Sequence, residues 1–186
     1  SRLTRLLTLG KRRAPKGECH LDTKDLLASC RGMTLIALPQ AELKTAIPDI
    51  RRMQQAFPHH VFLGAAPRYD GSDQAYLAAC AHVAQVTSAP MVAVGDVLMH
   101  RASRRPLADV LTCMRKHITI DEIGSRALLN SERRLKAGAD MARLFRAHPG
   151  ALRRTLEIAD TCSFDLGELS YDYPHEIVDG ETPQVR

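Results

Sequence analysis

The sequence predicts an α/β fold with a parallel sheet, and three observations predict it. Three short apolar runs, residues 33–38, 60–66 and 91–94, alternate with two helical patterns, 41–56 and the stretch that begins after Ser72. Each run is nearly all apolar, as a strand is when both faces of its sheet are covered. The resulting order, strand–helix–strand–helix–strand, is that of parallel strands joined by right-handed crossovers.

Ahead of this unit, Leu3, Leu6, Leu7 and Leu9 mark a short helix that Gly10 is expected to stop. A basic loop with Pro15 and Gly17 follows over 11–20, and Asp22 or Thr23 caps a short helix that runs to Ser29. Pro39 ends the first strand, and Pro48 breaks or restarts the helix over 41–56. Ser72 caps the next helix, whose apolar positions are Ala75, Leu77, Ala78, Val83 and Val86. Beyond Pro106 the character changes. Leu107, Val110, Leu111 and Met114 share one helical face, and past Gly124 the chain is expected to be mainly helical, over 139–145 and 150–162. Leu152, Leu156 and Ala159 are the expected packing positions of the last helix, and 172–186, with Pro174, Gly180 and Pro183, reads as an extended linker. Three strands cannot close a barrel, so an open half-barrel leaves edges and apolar faces for other strands to cover.

Composition narrows the class. The chain has 186 residues, 45% hydrophobic and 25% charged, which suits one globular domain or one domain with a small appendage. No run reaches the ~18 apolar residues of a membrane span, and the start, Ser1-Arg-Leu-Thr-Arg-Leu-Leu7, holds no secretion signal. The missing initiator Met suggests a start inside a longer polypeptide, and the expected location is cytoplasmic. Five cysteines at wide spacings, with no C-x-x-C pair, read as reduced and mostly buried thiols.

The net charge of +5 permits a polyanionic partner without requiring one. Basic residues cluster at Lys11-Arg12-Arg13, Arg51-Arg52, Arg101 with Arg104-Arg105, Arg115-Lys116, Arg133-Arg134 and Arg153-Arg154, and solvated helix faces account for most such runs. Of the four tyrosines only Tyr69, beside Arg68, lies near a basic cluster, so no base-stacking platform is evident.

In parallel α/β folds functional residues gather at the C-terminal ends of strands. Here those ends carry Pro39-Gln40, Pro67-Arg68 and Gly95-Asp96. Asp96 is the leading metal-site candidate, with His100 nearby; the competing role is a side-chain cap on the following turn. His59 and His60, adjacent on a strand, are expected to point to opposite faces and so not to serve one site. Cys19-His20 lacks a partner pair and reads as a buried Cys beside a surface His. His82 and His117 suit helix-surface or capping roles, and His148 suits an interhelical connection. Neither a phosphate-binding glycine loop, nor a G-x-S-x-G elbow, nor H-E-x-x-H, nor a strand-borne acidic pair able to hold two Mg²⁺ ions is present.

Four blocks carry a resemblance. Met91-Val-Ala-Val-Gly-Asp-Val-Leu-Met-His100 resembles the strand-and-turn block of the PHP (polymerase and histidinol phosphatase) domain of bacterial family C DNA polymerases. Ser103-Arg-Arg-Pro-Leu-Ala-Asp-Val-Leu-Thr-Cys-Met-Arg115 resembles the helix after it, particularly in the error-prone branch. Met141-Ala-Arg-Leu-Phe145 with Ala151-Leu-Arg-Arg-Thr-Leu-Glu-Ile-Ala-Asp-Thr-Cys162 is similar to the helical close of that region, and Leu6-Leu-Thr-Leu-Gly-Lys-Arg-Arg-Ala-Pro-Lys-Gly-Glu-Cys-His20 to an earlier block.

The resemblance implies a partial PHP-type, TIM-like distorted β/α barrel with parallel strands and a helical C-terminal portion. It divides the chain into the C-terminal part of a PHP domain (1–130), a helical closing segment (131–165) and a linker toward a polymerase palm outside this sequence (166–186). It implies a DNA polymerase of lesion bypass and damage-induced mutagenesis, with DNA as partner, Mg²⁺ as the parent's ion and other polymerase or mutagenesis subunits as further partners. This part is expected to be a scaffold without catalytic or cofactor-binding residues. Metal-binding relatives carry an Asp-x-His pair and a further His. Here Asp96 remains, but Leu98 and Arg68 stand at the two His positions, so Asp96 and His100 are candidates for a vestigial metal site. The alternatives are a metal-dependent phosphoesterase or 3′-5′ exonuclease, and a non-catalytic module that contacts DNA or another subunit.

Overall fold

A computed structural model describes residues 2–39 and 42–170. The expected linker over 172–186 lies outside the described residues. Three parallel strands, β1 (Leu35–Ala37), β2 (Val61–Ala65) and β3 (Met91–Ala93), form one sheet in the order β1-β2-β3. The described residues also form seven α-helices: α1 (Arg2–Arg12), α2 (Thr23–Ser29), α3 (Ile47–Ala56), α4 (Asp73–Thr87), α5 (Arg105–Lys116), α6 (Gly138–Leu144) and α7 (Pro149–Asp160). The mixed α/β class and the parallel pairing agree with the sequence expectation, with Leu35 opposite Val61 and Leu63 opposite Met91. A closed barrel is not what these three strands make.

Alternation builds the core. Val61, Leu63 and Ala65 share a face with Met91 and Ala93, and this face packs on Ile50 of α3 and on Leu77, Cys80 and Val83 of α4. Helix α7 lies against β3, where Ala151 is buried and the Arg154 guanidinium donates to the Met91 carbonyl at 2.9 Å. The opposite face is less covered than nearly all-apolar strands suggest. Ile36 of β1 is 41% exposed, because β1 lies at the edge of the sheet that the described residues form. Over β2, Ile36 and Leu38 lean across Gly64, where an added Cβ would come within 2.6 Å of Leu38 Cδ2 and 2.9 Å of Ile36 Cγ2.

Several elements depart from expectation. Helix α1 runs through Gly10 to Arg12; Gly10 is a close-packing position, not a stop, and a Cβ there would sit 2.5 Å from Cys19 Sγ. Cys19 is exposed rather than buried, as is Cys162, whereas Cys30, Cys80 and Cys113 are buried; all five are free. At the start of α2 the Asp25 carboxylate accepts the Asp22 N–H at 2.9 Å and the Arg13 guanidinium at 2.5 Å. Pro48 does restart a helix: a 3₁₀ turn over Leu43–Ala46 passes into α3, with the proline in its first turn. Ser72 occupies the N-cap position of α4, but its hydroxyl donates to Asp70 at 2.6 Å and accepts no N–H from the helix end.

The stretch past Gly124 is less helical than expected. Between a 3₁₀ turn at Gly124–Arg126 and α6 the chain is irregular, apart from a parallel bridge between Met99 and Arg134. In α7, Leu152 packs on the core, but Leu156 and Ala159 face solvent. The helix uses Ala151 and Leu152 because β3 lies beneath its N-terminal half. No described helix is long and apolar enough to cross a membrane.

Candidate functional site

The C-terminal ends of β2 and β3 open into a pocket of about 260 Å³. Ala66, Pro67 and Arg68 line it from β2, Gly95 and Asp96 from β3, and residues 127–133 close it as a strap. Asp96 therefore stands where a parallel fold places its chemistry. Its backbone is left-handed (φ 43°), a conformation that Asp tolerates better than most residues.

A single guanidinium grips Asp96 twice. Arg133 Nη2 lies 2.8 Å from Asp96 Oδ2, and Arg133 Nε donates to the Asp96 carbonyl at 2.9 Å. Planar, two-pronged recognition of this kind is what arginine offers and lysine does not. The Arg133 carbonyl in turn accepts the Leu98 N–H at 2.8 Å and the Met99 N–H at 3.2 Å, and Leu135 N–H donates back to the Met99 carbonyl at 3.0 Å.

Two more clamps hold the strap. Asn130 Nδ2 donates to the Arg68 carbonyl at 2.7 Å and to that of Tyr69 at 3.3 Å. Farther along, Asp109 of α5 accepts the Leu128 N–H at 3.2 Å, while Arg105 Nη2 donates to the Leu128 carbonyl at 2.6 Å. Arg105 and Asp109 are themselves an ion pair at 3.5 Å. Lys136, its side chain buried, bonds the Glu132 carbonyl and lies 5.2 Å from the centre of the Tyr69 ring.

The β2 end is fixed from α4. The Asp73 carboxylate accepts the Arg68 N–H at 2.7 Å and the Tyr69 N–H at 3.0 Å. Tyr69 too is left-handed, at φ 55°. The Arg68 guanidinium stacks 5.8 Å from the Tyr76 ring centre. Tyr76 Oη accepts the Ala66 N–H at 3.4 Å. Burial, and the adjacent Cys80, push the Tyr76 hydroxyl up to about 12, so it stays neutral at working pH. Burial raises the Cys80 thiol as well, which makes it a packing residue and not a nucleophile.

These residues do not fit the metal centre that the resemblance implies at the strand ends. The Asp96 carboxylate is engaged by a fixed cation, Arg68 is itself cationic, and Leu98 has no donor atom. His100 is exposed and does not line the pocket. Among the described residues no group of three or more His, Cys, Asp or Glu stands where it could hold a metal ion. His59 and His60 correct a different expectation. Both line one pocket of about 210 Å³ together with Glu157, because His59 precedes β2 in a left-handed conformation (φ 67°), where strand alternation does not apply. His117 caps α5 at its C-terminus, and His148 is the N-cap residue of α7.

Arg133, Asn130, Arg105 and Asp109 were not expected at this site. The only signals were the Arg104-Arg105 and Arg133-Arg134 pairs, read as basic clusters. Nothing in the pattern links Arg133 to Asp96, 37 residues away.

By fold and site, the class is a parallel α/β unit whose strand-end pocket is closed by an arginine-held strap. Its relatives define it further. No protein-family model matches the chain. Over 185 residues, all of this chain, it is 74% identical to a protein of Ruegeria pomeroyi named error-prone DNA polymerase. Proteins of the same name from Rhodopseudomonas palustris and Caulobacter vibrioides are 45% and 40% identical over 98% and 95% of the chain. The chain spans 17% of the first two relatives and 16% of the third, so it corresponds to about one sixth of the length of proteins with that name.

Proposed function

We propose that the chain is the PHP-region part of an error-prone family C DNA polymerase that works in lesion bypass and damage-induced mutagenesis. Within that enzyme it is a scaffold with no nucleotidyl-transfer residues of its own. The observation that carries this is the match of the whole chain, at 74% identity in one case, to proteins of that printed name. The scaffold role is supported by the grip of Arg133 on Asp96, which places a guanidinium against the carboxylate that the resemblance assigns to a metal. DNA as the parent's substrate, Mg²⁺ at its transfer site and the cytoplasm as its location belong to the same proposal.

Primer extension with Mg²⁺ tests it. The 186-residue chain is expected to extend no primer, and a polypeptide of the relatives' length to extend one. In the long polypeptide, Asp96→Asn is expected to leave extension within about threefold of wild type while lowering the melting temperature. Elemental analysis after incubation with Mn²⁺ and Zn²⁺ and desalting supplies the opposing result. Stoichiometric metal, lost in Asp96→Asn, would replace the scaffold by a metal-dependent phosphoesterase or 3′-5′ exonuclease.

A further inference from the structure

Helix α5 is turned inside out for a surface helix. Cys113 is buried and the small residues Ala108 and Thr112 are half-buried, whereas Leu107, Val110, Leu111 and Met114 are 50, 44, 55 and 66% exposed. The four follow i, i+3, i+4, i+7 spacing and so form one stripe roughly 10 Å long. An amphipathic helix ordinarily buries such a stripe, and an exposed apolar patch marks a contact surface.

Both ends of the stripe are cationic. Arg101 and Arg104 precede α5, whose first turn holds no acidic residue, so the helix dipole adds to their charge. Arg115 and Lys116 close the other end. Among the described residues no ion pair involves any of the four. The complementary surface is another amphipathic helix, with an apolar stripe of three to four residues and Asp or Glu at each end. A phosphate track is the wrong chemistry for four large apolar side chains. The relatives are about six times as long as this chain, which covers 17% of their length. A covalently linked segment is present at high effective concentration and can keep an apolar stripe covered at all times.

Resting on the polymerase assignment, we propose that α5 docks an amphipathic helix with acidic ends, carried by the rest of the same polypeptide. Leu107, Val110, Leu111 and Met114 form the apolar contact, with Arg104 and Lys116 meeting the carboxylates.

Met114 reports on the contact. Its oxidation to the sulfoxide by dilute hydrogen peroxide is followed by peptide mass spectrometry, in the long polypeptide and in the 186-residue chain. The expected result is oxidation at least about tenfold slower in the long polypeptide. Arg104→Glu combined with Lys116→Glu is expected to bring that rate back toward the short chain's, while leaving the short chain's rate unchanged. Equal rates in the two proteins would overturn the proposal. So would protection that grows with protein concentration, which indicates a second copy, or protection that needs added duplex DNA. Protection indifferent to the charge reversal would remove the acidic-ended partner. An immunoblot of the source cell separates the two levels of failure. A native band at the chain's own 20.6 kDa overturns the polymerase assignment and the docking with it, whereas a long polypeptide with reactive Met114 overturns the docking alone.

Discussion

Asp25 shows how one carboxylate can tie two segments. It accepts the Asp22 N–H at the start of α2 and the Arg13 guanidinium just past the end of α1. These bonds, Arg13's first, hold its carboxyl below the usual carboxylate range. A group whose folded value is depressed stabilises the fold above its unfolded value, near 3.8, and that stability fades as pH falls through the folded value. The melting temperature of the chain is therefore expected to drop on acidification below about pH 5, and Asp25→Asn to flatten that part of the profile. An unchanged profile in the variant would assign the acid sensitivity to other carboxylates. The sequence displayed Asp22 as a candidate cap, but not Asp25 as the residue that closes it, because the partner that fixes Asp25 comes from just past the end of a different helix.

At the scale of elements, the strap over 127–133 is held by Arg133 on Asp96, by Asn130 on the Arg68 carbonyl and by Arg105 and Asp109 on Leu128. Arg133→Ala is expected to cost no more than about 1 kcal/mol of global stability, since both partners are partly open to solvent. Its local effect is larger. The Leu98, Met99 and Leu135 amides, bonded within the Met99–Arg134 bridge, are expected to exchange with solvent faster by at least about tenfold. Arg133→Lys is not expected to restore them, because one ammonium cannot reproduce the fork that meets a carbonyl and a carboxylate together. Full protection in the lysine variant would show that charge alone holds the strap. This element was the least legible in the sequence. Helices and strands announce themselves by period, whereas 127–137 has no period and is built from side chains that bond to backbone groups far away in sequence. The three strands, Pro48's role and the placement of Asp96 were legible because each rests on local chemistry or alternation.

For the whole molecule, stability is unevenly distributed. β2, β3 and α4 share the buried cluster, whereas α5 packs mainly on the turn before it and is tied to Leu128 by Arg105 and Asp109. Native-state hydrogen exchange is expected to show α5 opening locally, with a weak dependence on denaturant, while amides of β2 and α4 exchange only through global unfolding. A single denaturant dependence for both would make the chain one cooperative unit. The α/β class was readable from the sequence because strand order and apolar runs are properties of the chain alone. The outward turn of α5 was not. Its apolar periodicity says that Leu107, Val110, Leu111 and Met114 want a partner, and only the fold shows that the partner is not within the described residues.

The guanidinium on Asp96 also changes what the strand ends ask of the cell. An ion held by side chains comes and goes with its free concentration, so a corner built around it loosens when a chelator or a starved growth medium removes it. Arg133 is synthesised with the chain at a ratio of one to one with its carboxylate, so on the scaffold proposal EDTA is expected to leave the Arg133–Asp96 contact in place. On that proposal the corner is set once, when the polypeptide folds, and is expected to be indifferent to the supply of trace elements.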